Sequence, residues 1–265
     1  MITASIGSHR FESGPTYHLN NSNFEALSGV VHDPNPTVDY VNQLPGVDAT
    51  PEEVRQVAAS GITRLAVGGS ELDILELAGN TLIDACDGKA IDTTAFTDLW
   101  SNHWWGGTSV FHSQGLANGV LDSASVLATR KNRPEETAEA IREKAPTDEG
   151  YFVIALANGG LISAARTFLR LEEGNHSFGV VKYSRHKGGD KEPRLHPYPD
   201  ERRRWLEQMA RGRQVVVFDE DYGTKETLTT ATKYFAGLFE KKVLGIAPVE
   251  VSRRITYSPL VITAE

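Results

Sequence analysis

Cys86 is the only cysteine in the 265 residues, which excludes an intrachain disulfide and leaves no cysteine at metal-ligand spacing. No apolar stretch approaches the roughly 20 residues of a transmembrane helix, and the N-terminus lacks the core of a signal peptide. The expectation is a soluble cytoplasmic protein with no membrane partner. Basic charge is scarce too. With 27 Lys and Arg against 35 Asp and Glu, the formal net charge of −8 gives no electrostatic reason to expect nucleic acid. Neither a G-x-G-x-x-G fingerprint nor a Walker-type loop occurs, so dinucleotide-dependent and P-loop chemistries have no motif to rest on. His103 and His112 stand too far apart for a helical metal pair and read as structural histidines.

What is present suits an ordinary globular protein: 40% hydrophobic and 23% charged residues, enough for one large domain or one with an appendage. Residues 1–49 are polar and turn-rich, with Asp33-Pro34-Asn35-Pro36 breaking any regular element. Thr50-Pro51-Glu52-Glu53 is a helix start, with Val54, Val57 and Ala58 as its apolar side. A short strand over Ile62–Val67, a Gly68-Gly69-Ser70 turn and a helix from Glu71 to about Ala85 follow. Trp100, Trp104 and Trp105 crowd one segment. Such a cluster fills a core or a subunit interface more often than it stacks on a ligand, which leaves a homodimer open. Residues 114–144 read as two helices divided near Asn132-Arg133-Pro134.

The second half alternates strands and helices. Tyr151–Leu156, Phe178–Tyr183, Val215–Phe218 and Val243–Ala247 are apolar runs of the kind buried on both faces of a parallel sheet. Helices fall between them: one with Leu161, Ala164, Ala165, Phe168 and Leu169 inward, and one over Asp200–Arg211 with Trp205 and Met209 on one side. The Arg202-Arg203-Arg204 run reads as a solvated face with local ion pairs. Alternation of this kind implies a parallel α/β sheet with right-handed crossovers, in which the loops after the strands emerge at one edge. Asn158-Gly159-Gly160, the cationic Ser184–Lys191 stretch and Asp219–Thr227 should therefore converge on one crevice. The bare amides of Asn158-Gly159-Gly160, at a helix start, suit an anion.

The organising stretch is V-V-V-F-D-E-D-Y-G-T-K-E-T-L, from Val215 to Leu228. Asp219, Glu220 and Asp221 repel one another at the mouth of a buried strand; Mg2+, a ligand's hydroxyls or plain water would offset that cost. Gly223-Thr224-Lys225-Glu226-Thr227 then leads into a helix with Leu228, Ala231, Phe235 and Leu238 on one stripe. Thr224 is the expected N-cap, and the amides of that first turn form a cup for a phosphate.

Acids followed by a Thr-containing loop resemble the signature of the type I phosphoribosyltransferases, and the resemblance covers roughly residues 150–248. It implies an α/β core over 150–265, with helices on both faces of a parallel sheet. Residues 1–149 would be a mostly helical extension or hood, the two forming separate parts or one compact unit. It further implies Mg2+-dependent transfer of 5-phosphoribosyl from phosphoribosyl pyrophosphate to a small-molecule acceptor. Asp219 and Glu220 would hold the ribose hydroxyls and the metal, with Asp221 as base or supporting carboxylate. Gly223, Thr224, Lys225, Glu226 and Thr227 would hold the 5′-phosphate. Asn158, Gly159 and Gly160, with Arg185 and Lys187 of a flexible loop, would take the pyrophosphate. Lys225 stands where the family usually has glycine. That departure supports a second reading, a non-catalytic nucleotide-binding regulator of the same fold.

Overall fold

The computed structural model describes residues 4–5, 18–19, 56, 59, 72–89, 132–157, 159–171, 174–183, 193, 195, 199–219, 225–248 and 259–265. Ala4–Ser5 (β1) and His18–Leu19 (β2) form a small antiparallel pair. Gln56 and Ala59 are helical and buried, in keeping with a helix begun at Thr50-Pro51. Two further helices precede the main sheet, Leu72–Cys86 (α1) and Pro134–Lys144 (α2). The second starts as expected: Pro134 occupies the first turn, Glu135 and Glu136 face the positive end of the helix dipole, and Arg142 and Lys144 the negative end.

The sheet is built from Tyr151–Ala157 (β3), Ser177–Lys182 (β4), Gln214–Phe218 (β5), Val243–Ala247 (β6) and Leu260–Ala264 (β7). Between them run Leu161–Phe168 (α3), Pro199–Ala210 (α4) and Glu226–Phe239 (α5). The spatial order is β4-β3-β5-β6-β7. The first four strands are parallel, as the apolar runs predict, and β7 pairs antiparallel with β6. That closing strand is a correction: L-V-I-T-A at the C-terminus carries β-branched residues, but its side chains are mostly half-buried, as an edge strand's are.

Register sets the two faces. Ile154 lies beside Gly179 and Val217, and Leu156 beside Val181. The residues in phase with them, Phe152, Tyr183, Val215, Val243 and Ala247, share one buried cluster with Leu206 and Ala210 of α4 and Leu228, Ala231 and Phe235 of α5. The other face carries Val153, Ala155, Val180, Val216, Phe218, Leu244 and Ile246, all buried. There α3 packs on β3, and α1 packs on β4 and α3. Phe178 of β4 meets Phe168 of α3 edge-on, with ring centroids 5.5 Å apart. Helices thus cover both faces of the sheet. Within α3 the inward residues include Leu161, Ala164 and Ala165 as expected, but Thr167 is buried where Leu169 is only half-buried.

The edge of the sheet where the parallel strands begin is tied by structural bonds. Lys241 Nζ donates to the carbonyls of Ala210 (2.6 Å) and Arg213 (2.5 Å). Arg213 Nε and Nη2 donate to the backbone carbonyl and side-chain oxygen of Asn175, each at 2.6 Å. Burial lowers the pKa of Lys241, and its two carbonyl acceptors replace the water it loses.

Candidate functional site

The order of strands reverses direction at β3: β4 lies to one side of it, β5 and then β6 to the other. At such a switch point the chain segments leaving neighbouring strands turn to opposite faces, and a crevice opens beyond the strand ends. The segments that leave β3 and β5 are two of those singled out by the sequence.

Gly160 joins them. A Cβ placed on it would lie 2.6 Å from the carbonyl oxygen of Phe218, 3.1 Å from Asp219 Cα and 3.2 Å from the carbonyl oxygen of Leu156. All three are backbone atoms and cannot swing aside. Only glycine lets the start of α3 approach the end of β5 so closely. The anion role expected of its amide is corrected, because the Gly160 N–H donates to the Leu156 carbonyl at 3.1 Å. The amides without an intrahelical acceptor lie in the first turn beyond it. Gly160 therefore acts by shape.

Asp219 closes β5. Its residue surface is 6% exposed, and its N–H donates to the Ile246 carbonyl at 3.1 Å, one step past the Phe218–Ile246 pairing. A buried carboxylate at a strand end is worth retaining only where something charged or hydrogen-bonding compensates it. Glu220, Asp221, Gly223 and Thr224 lie outside the described residues, as do Asn158, Arg185 and Lys187. So do Trp100, Trp104, Trp105, His103 and His112. Among the described residues no group of three or more His, Cys, Asp or Glu is placed to hold a metal ion.

Helix α5 starts one residue later than expected. Its N-cap is Lys225, not Thr224, and no side chain caps it. Lys225 has φ +60° and ψ −4°, the left-handed region, and its carbonyl accepts from the Thr229 N–H at 2.9 Å. Lys225 and Glu226 are exposed and Thr227 is half-buried. Glycine adopts this conformation without cost, whereas a side chain pays about 1–2 kcal/mol. Replacing Lys225 by Gly removes that strain but adds about 0.5–1 kcal/mol of unfolded-chain entropy. The expected net gain is about 0.5–1 kcal/mol by urea unfolding, while Lys225→Ala, which keeps the strain, should give none.

The Arg202-Arg203-Arg204 run divides between solvent and core. Arg203 and Arg204 do sit on a solvated face, paired with Glu207 at 2.9 Å and Glu201 at 3.5 Å. Arg202 does not. It is only 3% exposed, and desolvation draws its guanidinium down to about 10. The signal was present: Arg202, Leu206 and Ala210 recur at four-residue spacing on the buried stripe of α4.

A comparison with protein families, curated proteins and solved structures finds no match to this chain.

Proposed function

We propose that the protein transfers a 5-phosphoribosyl group from phosphoribosyl pyrophosphate to a small-molecule acceptor, releasing pyrophosphate. The observation that carries this reading is the contact of the β3–α3 turn with the end of β5, at Gly160 and Asp219, across the switch point of the sheet. The donor is a sugar with anions at both ends, and it needs separate segments facing one crevice. The β3, β4 and β5 ends all emerge at that edge.

In the reaction the C1–oxygen bond breaks with its electron pair leaving on pyrophosphate, and the acceptor's lone pair forms the new bond to C1. Positive charge develops on the ribose and negative charge on the leaving group, so the protein contributes positioning and electrostatics. Asp219 and Glu220 hold the ribose hydroxyls. Their hard carboxylate oxygens also suit Mg2+, which when bound neutralises pyrophosphate charge. The first turn of α5, with Thr224 and Thr227, holds the 5′-phosphate at the positive end of the helix dipole. Arg185 and Lys187 bear on the pyrophosphate, and Asp221 serves as base or supporting carboxylate.

The strained Lys225 at the cap of α5 favours a second reading, a regulator that binds the same ligand without turnover. Purified protein given donor, Mg2+ and a panel of purine, pyrimidine and amine acceptors is expected to release pyrophosphate. Saturable donor binding with no release across the panel would select the regulator.

A further inference from the structure

Helix α4 joins the parallel strands β4 and β5, so it runs against them: Ala210, at its end, lies near the start of β5, where Lys241 bridges the Ala210 and Arg213 carbonyls. Its first turn consequently lies at the opposite edge, with the candidate crevice. Trp205 fixes the level. Its ring meets Phe152 edge-on at 6.1 Å, and a Cβ on Gly179 would touch it at 3.1 Å. Arg202 is one turn nearer the helix start, about 4.5 Å further along the strands, near the height of Val181. Side chains on a helix lean toward its N-terminus, which directs Arg202 toward the end of the sheet that holds the candidate crevice. Its Nε and Nη2 are buried, and neither has a hydrogen-bond partner among the described residues.

A guanidinium carries five donors and stays charged at neutral pH, so burying it without a partner is strongly unfavourable. Folds keep such a group where a ligand supplies the missing charge. We propose that Arg202 is a phosphate anchor: a phosphate group of a ligand entering at the strand ends pairs with its buried guanidinium. A second basic surface among the described residues does not compete for this role. The groove of about 440 Å³ between α4 and α5 is lined by Arg203, Glu207, Arg211, Glu240 and Lys241 and extends to the edge where the strands begin. Two of its cations are already engaged, Arg203 by Glu207 and Lys241 by backbone carbonyls.

The inference goes beyond the phosphoribosyl reading, since any phosphate-bearing ligand of the crevice would serve. Its test involves no turnover. The full chain and its Arg202→Met and Arg202→Lys variants are melted with inorganic phosphate, pyrophosphate or acetate, with chloride at matched ionic strength as reference. Without anion, Arg202→Met is expected to melt about 5 °C higher than the unsubstituted protein, because an unpaired buried charge is gone. With phosphate or pyrophosphate at about a hundred times its dissociation constant, the unsubstituted protein should gain roughly 5–10 °C over chloride. Arg202→Lys should keep part of that gain and Arg202→Met none. A phosphate response above that of pyrophosphate points to a monophosphate group, and the reverse to a diphosphate; either supports the anchor. An Arg202→Met variant that melts lower than the unsubstituted protein would reveal an internal partner and overturn it. So would an unchanged phosphate response in that variant, no response in the unsubstituted protein, or an equal response to acetate.

Discussion

Asp219→Asn combined with Glu220→Gln is expected to reduce pyrophosphate release at least about 10³-fold, with no loss of thermal stability. The size follows from the chemistry. Removing a single group aimed at developing charge costs about 10²–10³ in rate, and two adjacent carboxylates act on the same oxocarbenium-like ribose. The unchanged stability follows from the structure. The Asp219 N–H still donates to the Ile246 carbonyl, the amides match the carboxylates in shape, and repulsion within the acidic run falls. The two readouts separate the hypotheses. Full activity in the double variant would mean the acids are a solvated turn, whatever else the crevice binds. Loss of activity together with a large fall in melting temperature would assign Asp219 a structural role.

The second large effect is on the fold. Gly160→Ala should destabilise the protein by about 2–4 kcal/mol, as overpacking against immovable neighbours does. In a domain of this size that lowers the melting temperature by roughly 10 °C. The reason is the 2.6 Å approach to the Phe218 carbonyl and the 3.1 Å approach to Asp219 Cα, both backbone. Relief requires α3 or the end of β5 to move, so activity should fall more than stability alone explains. Gly237→Ala is the control. Gly237 lies in α5, and a Cβ there meets nothing within 4 Å, so alanine should stabilise by about 0.5–1 kcal/mol through helix propensity. Equal effects at the two positions would show that the Gly160 contact does not constrain the turn.

Much of the sheet was legible in the sequence, for a local reason. Tyr151–Ala157 and Val215–Phe218 are unbroken apolar runs, and Val243–Ala247 is closed by Pro248, so burial on both faces is written into composition. The helices announce themselves by period and by punctuation such as Pro134 and Gly212. β7 was not legible, because an edge strand needs less apolar surface and its pairing partner is known only once β6 is in place.

The site divides in the same way. The amino-acid order alone determined that an acidic triplet follows a buried strand and that a Gly-Gly turn follows another. Alternation further determined that both would leave the sheet at one edge, since parallel strands admit no other outcome. Tertiary structure decided the rest. It placed β3 beside β5, which brings Gly160 against Asp219, and it turned Arg202 inward while leaving Arg203 and Arg204 in solvent. It also required a left-handed backbone at Lys225. Each of these depends on which surfaces meet, and close contact between remote segments is a property of packing that no local pattern of residues encodes.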